Sequence, residues 1–300
     1  MPSYCNLDGT IVPEAEAVVP VLDRGFLFGD SIYEVVRTRN GQLFAWREHF
    51  ERMRLSGTAL AMTLDLDDGA ILRRVFATMA AAGNPEHYVR LIVTRGTGTA
   101  PSIDLACATG PLRWVILARP LPQGPADVRL CIVDRLRTDR RALDPAIKSG
   151  NYLNNVLGLA EAKRAGATDC LLLNGEGHVT EASTSKVFVL SGGTWCTPTL
   201  RSGILAGVTR ALLLTFLRQR GERVVERDLR REDVEGADAV FTTSTLRDAA
   251  LVTHLDGREL PHNEATNKIA VIGGEFSKWC DARARDVDDP QARALAAMAH

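Results

Sequence analysis

No stretch of the 300-residue chain approaches the roughly 18 consecutive apolar residues that cross a bilayer. The start, Met1-Pro2-Ser3-Tyr4-Cys5-Asn6, also lacks the basic segment and apolar core of a secretory signal. A cytoplasmic protein with no membrane partner is the expectation. An excess of either charge is missing as well: 36 Lys and Arg face 37 Asp and Glu, for a formal net charge of −1. A phosphate polymer attracts a basic field, so no nucleic-acid partner is expected. Runs such as Arg218-Gln219-Arg220-Gly221-Glu222-Arg223 mix basic with acidic residues and read as solvated helix ends. Cys5, Cys107, Cys131, Cys170, Cys196 and Cys280 contain no CxxC pair and no metal-finger spacing. Reduced thiols and no metal site follow. No internal repeat is visible.

An apolar content of 45% can build the cores of one large or two modest domains. In the first part, helical patterning covers 48–61 and 68–82, and apolar strands cover 88–94 and 114–118. Arg119-Pro120-Leu121-Pro122-Gln123-Gly124-Pro125 then denies the backbone its donors and ends regular structure. This predicts an α/β protein with a small N-terminal domain at 1–118, a linker at 119–125 and a larger domain at 126–300. The larger domain alternates strands (128–133, 170–173, 187–190, 239–242) with helices (151–164, 208–219). The Ala-, Arg- and Asp-rich tail, 281–300, reads either as a frayed helix or as disorder.

Lys148 lies in Ile147-Lys148-Ser149-Gly150-Asn151-Tyr152, just ahead of a helix carrying Leu153, Val156, Leu157 and Ala160 at helical spacing and stopping at Gly166. A lone lysine there is ordinarily a solvated side chain. Downstream, Asp169-Cys170-Leu171-Leu172-Leu173 reads as a buried strand. Asn174-Gly175-Glu176-Gly177 reads as a tight hairpin whose glycines supply positive φ. Glu181 follows at the head of the return strand. Gly207-Val208-Thr209 precedes the apolar helical run Leu212-Leu213-Leu214, and such a helix N-terminus presents N–H groups to an anion.

In this order, with Asp23–Arg37, Glu48-His49-Phe50-Glu51-Arg52-Met53, Ser202–Arg210 and Phe241-Thr242-Thr243-Ser244-Thr245, the blocks resemble fold-type IV pyridoxal-phosphate enzymes, the class IV aminotransferases. The resemblance spans almost the whole chain. It implies a two-domain fold whose larger domain carries Lys148 and a mixed sheet or barrel, a cofactor cleft between the domains, and a homodimer. Pyridoxal 5′-phosphate needs an amine for its aldehyde, an acid for its ring nitrogen and donors for its phosphate. The resemblance assigns these to Lys148, to Glu181, and to Arg52, Gly207, Val208, Thr209, Ser244 and Thr245. Leu205 would pack on the ring. Tyr152 would serve the phenolic oxygen, although it follows the lysine one residue sooner than in branched-chain enzymes.

The substrate is less legible. Tyr33 and Val35 resemble positions of the D-amino acid aminotransferase pocket, but Ala100 and Ser102 stand where that branch has an Arg-x-His carboxylate trap. Tyr88, Arg90 and Arg37 resemble branched-chain positions, yet Phe28 and Val35 replace a usual Tyr and Gly. A buried carboxylate still needs donors. Arg90 and Arg37 are the candidates, with Arg24 a third if a dimer carries it across. The expectation is ping-pong transfer from a D-amino acid to a 2-oxo acid, through a carboxylate site unlike the usual trap. Branched-chain L-amino acid transamination, (R)-amine transamination, aminodeoxychorismate lyase chemistry and a noncatalytic cofactor binder are the alternatives.

Overall fold

The computed structural model describes residues 2–123 and 127–284, so the end of the expected linker, 124–125, and most of the expected tail lie outside the described residues. Within them the chain divides into two compact units. The first comprises the described residues up to Pro122, together with Ile147–Asn151 and those from Cys280 on; the second comprises the rest.

The first unit contains β1 (Tyr4–Leu7), β2 (Thr10–Pro13), α1 (Arg24–Phe28), β3 (Ser31–Arg39), β4 (Gln42–Leu43), α2 (Trp46–Ala59), α3 (Asp68–Ala82), β5 (His87–Thr94) and β6 (Arg113–Pro120). Its sheet runs β2-β1-β6-β5-β3-β4 with every pair antiparallel. The period-2 alternation of β5 explains the layering: His87, Val89, Leu91 and Val93 are buried on one face, while Tyr88, Arg90 and Ile92 point to the other. The inward set packs with Ile32 and Val36 of β3, Phe50 and Met53 of α2 and Val75 of α3. Burying each such side chain contributes about 1.5–3 kcal/mol. Asp67 caps α3 by accepting from the Ala70 amide at 2.7 Å, and Gly83 ends it at φ 62°.

The second unit contains β7 (Val128–Leu136), α4 (Leu153–Arg164), β8 (Asp169–Leu173), β9 (Val179–Ala182), β10 (Lys186–Ser191), β11 (Thr194–Thr197), α5 (Val208–Gln219), β12 (Arg223–Glu226), α6 (Arg231–Glu235), β13 (Ala239–Ser244), β14 (Asp248–Leu255) and β15 (Arg258–Glu259). The chain ends its described part in α7 (Glu264–Arg283). The sheet is mixed, in the order β12-β11-β10-β13-β14-β7-β8-β9, with β7 parallel to both β14 and β8. Strands covered on both faces lose polar alternation, which is why β8 and β10 are buried almost throughout. The fold is α/β, as expected. Among the described residues, no helix is long and apolar enough to cross a membrane, and all six cysteines are free.

Three expectations need correction. Arg119 and Pro120 belong to β6, paired with Tyr88 and His87, rather than to a linker. Lys148 falls in the first unit, not the second. Its segment lies along the free edge of β3, where Ser149 bridges Ile32, the Tyr33 amide donates to the Lys148 carbonyl at 2.9 Å and the Gly150 amide to the Ser31 carbonyl at 2.8 Å. In the 174–177 turn only Gly177 has positive φ, at 78°. Asn174 does the remaining work, its Oδ1 accepting from the Glu176 and His178 amides at 3.0 and 2.9 Å.

Candidate active site

In the first unit the β3–β5 register pairs Val35 with Arg90 and Arg37 with Tyr88. Residues directly opposite in an antiparallel pair share a face. Tyr33, Arg37, Tyr88 and Arg90, the four candidate substrate residues, therefore line one side of the sheet. The Arg90 guanidinium lies 4.1 Å from the centroid of the Tyr33 ring, and Lys148 Nζ lies 4.3 Å from the same centroid. Tyr33 thus holds both cations against one aromatic face or its reverse. The Lys148 amide donates to Ser56 Oγ at 3.1 Å, which fixes the backbone of the segment.

The opposite face of β3 carries Glu34, only 1% exposed. Arg52 of α2 grips it with Nε on Oε1 and Nη2 on Oε2, both at 2.7 Å, and His49 Nδ1 lies 2.8 Å from Oε2. Burial pushes the Glu34 carboxyl up, but the charges of Arg52 and His49 outweigh it and hold it at about 2. Burial lowers His49 despite the pull of Glu34. These three residues form a charged cluster beneath the sheet, of which the family resemblance singled out only Arg52.

Arg24 was a candidate for the substrate carboxylate. It is 2% exposed, and its guanidinium donates to the carbonyls of Ser102, Ile103 and Asp104 at 2.7, 3.1 and 3.3 Å and to Asp30 at 2.9 Å. It thereby clamps the loop that contains Ala100 and Ser102.

In the second unit Glu181 sits on β9, 3% exposed. Its Oε1 takes Arg137 at 2.8 Å, and its Oε2 takes Lys186 at 2.5 Å and the Leu205 amide at 3.2 Å. Burial raises this carboxyl, but Lys186 and Arg137 bring it below the ordinary carboxylate range. Leu205, the candidate ring-packing residue, is therefore adjacent to the candidate acid. Gly207 is the N-cap of α5 and supplies no side-chain cap, so the first-turn amides, on Val208 and Thr209, meet no capping side chain. The same end receives β13: Thr243 pairs with Lys186 in register, Ser244 closes the strand and Thr245 begins the turn after it. Tyr152 is the half-buried N-cap residue of α4.

The sequence reading overlooked Arg137 and Lys186. A usable signal existed for Lys186, a lysine heading the buried apolar strand Lys186-Val187-Phe188-Val189-Leu190. Arg137 follows a strand end and carries no such mark.

The amino-transferase class IV family signature matches residues 31–255. The chain belongs to the class IV aminotransferases. This family works with pyridoxal phosphate and transfers amino groups, so the chain is an enzyme of that type. Among its relatives, a Methanocaldococcus jannaschii protein named for branched-chain-amino-acid transamination is 30% identical over 94% of this chain and 95% of its own length. The D-alanine aminotransferase of Listeria monocytogenes serotype 1/2a is 32% identical over 82% of this chain and 86% of its own. Among solved structures, the branched-chain aminotransferase of Thermoproteus uzoniensis with norvaline superposes with a TM-score of 0.84 at 26% identity, covering 94% of this chain and 96% of its own. The PLP form of the Thermobaculum terrenum branched-chain enzyme gives 0.83 at 23% identity over 94% and 95%, which speaks to the fold alone.

Proposed function

We propose that this class IV aminotransferase takes its amino group from a D-amino acid and passes it to a 2-oxo acid. The observation that supports an amino acid donor, of either hand, is the placement of Arg90 and Lys148 on one ring, that of Tyr33. Arg90 on β5 is then a cation near the candidate amine, Lys148, and could receive a carboxylate, while Ala100 and Ser102 offer no cation on their loop. The D-alanine aminotransferase of Listeria and the Asp23–Arg37 block support a D donor. The archaeal relative named for branched-chain transamination supports a branched-chain L donor as the second reading.

The residues fit pyridoxal phosphate by their donor chemistry. Lys148 supplies an amine, Glu181 a carboxylate kept ionised by its neighbours, and α5 an N-terminus with no side-chain cap. When bound, the cofactor supplies the electron sink for the substrate's α-carbon. Lys148 Nζ then moves the proton at that carbon. Glu181 would hold a proton at the ring nitrogen, and Val208, Thr209, Ser244 and Thr245 would hold the phosphate, with Arg52 joining them only where its guanidinium is shared with Glu34. Leu205 packs on the ring, Tyr152 serves the phenolic oxygen, and Arg90 with Arg37 orients the substrate carboxylate.

A homodimer accompanies the reading. Leu136, Leu153, Val156 and Leu157 form an exposed apolar face, tied together where Asn154 donates to the Leu136 carbonyl at 2.9 Å.

The test is to add single enantiomers of alanine, leucine and glutamate, without acceptor, and follow the visible absorbance of the bound cofactor. Rapid loss with D-amino acids is expected. Rapid loss with L-leucine alone would overturn the D assignment in favour of the branched-chain reading. Arg90→Ala should raise KM for the D donor about 10- to 100-fold, the worth of one charge-assisted contact; an unchanged KM would remove Arg90 from the site.

A further inference from the structure

Lys186 is 7% exposed at the head of β10, with Nζ 2.5 Å from Glu181 Oε2. Arg137 takes the other oxygen at 2.8 Å, so two cations and the Leu205 amide face one carboxylate. The lysine stem also determines what can stand at the start of α5. A Cβ on Gly207 would come 3.1 Å from Lys186 Cγ and 3.2 Å from its Cε. Stability does not account for this arrangement. A second cation on one buried carboxylate adds desolvation cost, the positive end of α5 beside the stem adds to that cost, and an apolar residue would fill the strand more cheaply.

We propose that Lys186 is a positioning residue that weakens Glu181 as a base and so sets how tightly the proton on the cofactor's ring nitrogen is held, an inference that rests on the pyridoxal phosphate reading above. Each cation in contact with a carboxylate lowers its proton affinity, by about 1–3 pH units at contact distance. Arg137 stays charged at any accessible pH, so Lys186 is the adjustable partner. Neutralising position 186 leaves Glu181 with Arg137 and the Leu205 amide, more basic and a stronger acceptor for the ring N–H. Burial of Glu181, which by itself raises its proton affinity, acts in the same direction once Lys186 is gone.

The experiment loads wild type, Lys186→Met and Lys186→Arg with pyridoxal phosphate labelled with 15N in the ring, and follows the nitrogen shift against pH. The expected result is that Lys186→Met keeps the ring proton to a pH at least one unit higher than wild type, a tenfold gain in proton affinity, while Lys186→Arg tracks wild type. Superimposed titrations of wild type and Lys186→Met would overturn the proposal, as would a Lys186→Arg curve that follows Lys186→Met. Should the Met variant not fold, Lys186→Gln removes the charge while keeping a polar contact to Oε2 and gives the same comparison. Failure of the underlying cofactor reading shows differently, since wild-type protein would then take up no label.

Discussion

Glu34→Gln isolates the charge of the cluster beneath the first sheet. The carboxylate is 1% exposed and accepts from both Arg52 and His49, so the isosteric amide removes charge and changes little volume. Its carboxyl is held at about 2 against an ordinary 4.5. At 1.36 kcal/mol per pH unit, that difference corresponds to about 3 kcal/mol. Breaking a buried pair by removing one partner costs a similar 3–5 kcal/mol, because Arg52 and His49 are then left facing each other without the anion. The sign follows from a lowered folded-state value. The contribution is fully present above pH 4.5 and is lost as pH falls through about 2. Urea unfolding at pH 7 should therefore show Glu34→Gln less stable by about 3 kcal/mol, with the gap narrowing steadily from pH 4.5 towards pH 2. Hydrogen exchange should locate the loss in β3 and α2. A variant as stable as wild type at pH 7, or a deficit that stays constant down to pH 2.5, would refute the reasoning.

Gly150→Ala should cut activity at least tenfold with little loss of global stability, because its Cβ would come 2.2 Å from Ser31 Oγ and push the Lys148 segment off β3; Ser31→Ala in the same chain should restore activity, and no rescue would count against the steric account. Gly207→Ala should fold, since its φ of −70° suits alanine, but it should displace the Lys186 stem and weaken cofactor affinity several-fold in an equilibrium titration; unchanged affinity would show that the stem yields freely. His87 is buried, its Nε2 has no partner among the described residues, and burial lowers its pKa, so its contribution is present above pH 6.5 and is lost as pH falls below that value. His87→Asn should flatten the fall in stability between pH 7 and pH 5, and parallel curves for the two proteins would rule the histidine out as its source.

Local periodicity made about half of the regular elements legible, and among the longer ones β3 and α7 went unread. The apolar spacing of 68–82 and of 208–219 matches α3 and α5 to the residue, because each helix has a clear start, at Asp67 and Gly207. The β14 strand was missed. It begins at Asp248 with φ 55° and reads Asp-Ala-Ala-Leu-Val-Thr-His-Leu, half-buried over most of its length, so it shows neither alternation nor a continuous apolar run. The unit to which Lys148 belongs was illegible for a different reason. Two backbone hydrogen bonds and one bridge to the edge of β3 decide it, and backbone pairing at a strand edge leaves no mark in side-chain pattern.

The site divides along the same line. The amine at Lys148 and the acid at Glu181 were visible because the resemblance to the class IV aminotransferases marks them; taken alone, each reads as an ordinary surface residue. Residues that act by modifying another group were not, because their partners are distant in sequence. Arg24 reaches its carbonyls across 78 to 80 positions. Lys186 is separated from Glu181 by only a short stretch, yet it meets the carboxylate because the chain turns back between β9 and β10, where the Ala182 amide donates to the Ser185 carbonyl at 2.9 Å. The strand's own composition nevertheless offered a clue. A buried charge is tolerated only with a partner, so a lysine heading the apolar run Val187–Leu190 points to a nearby carboxylate. On this chain that reasoning points from Lys186 to Glu181, the acid that the family pattern selects on independent grounds.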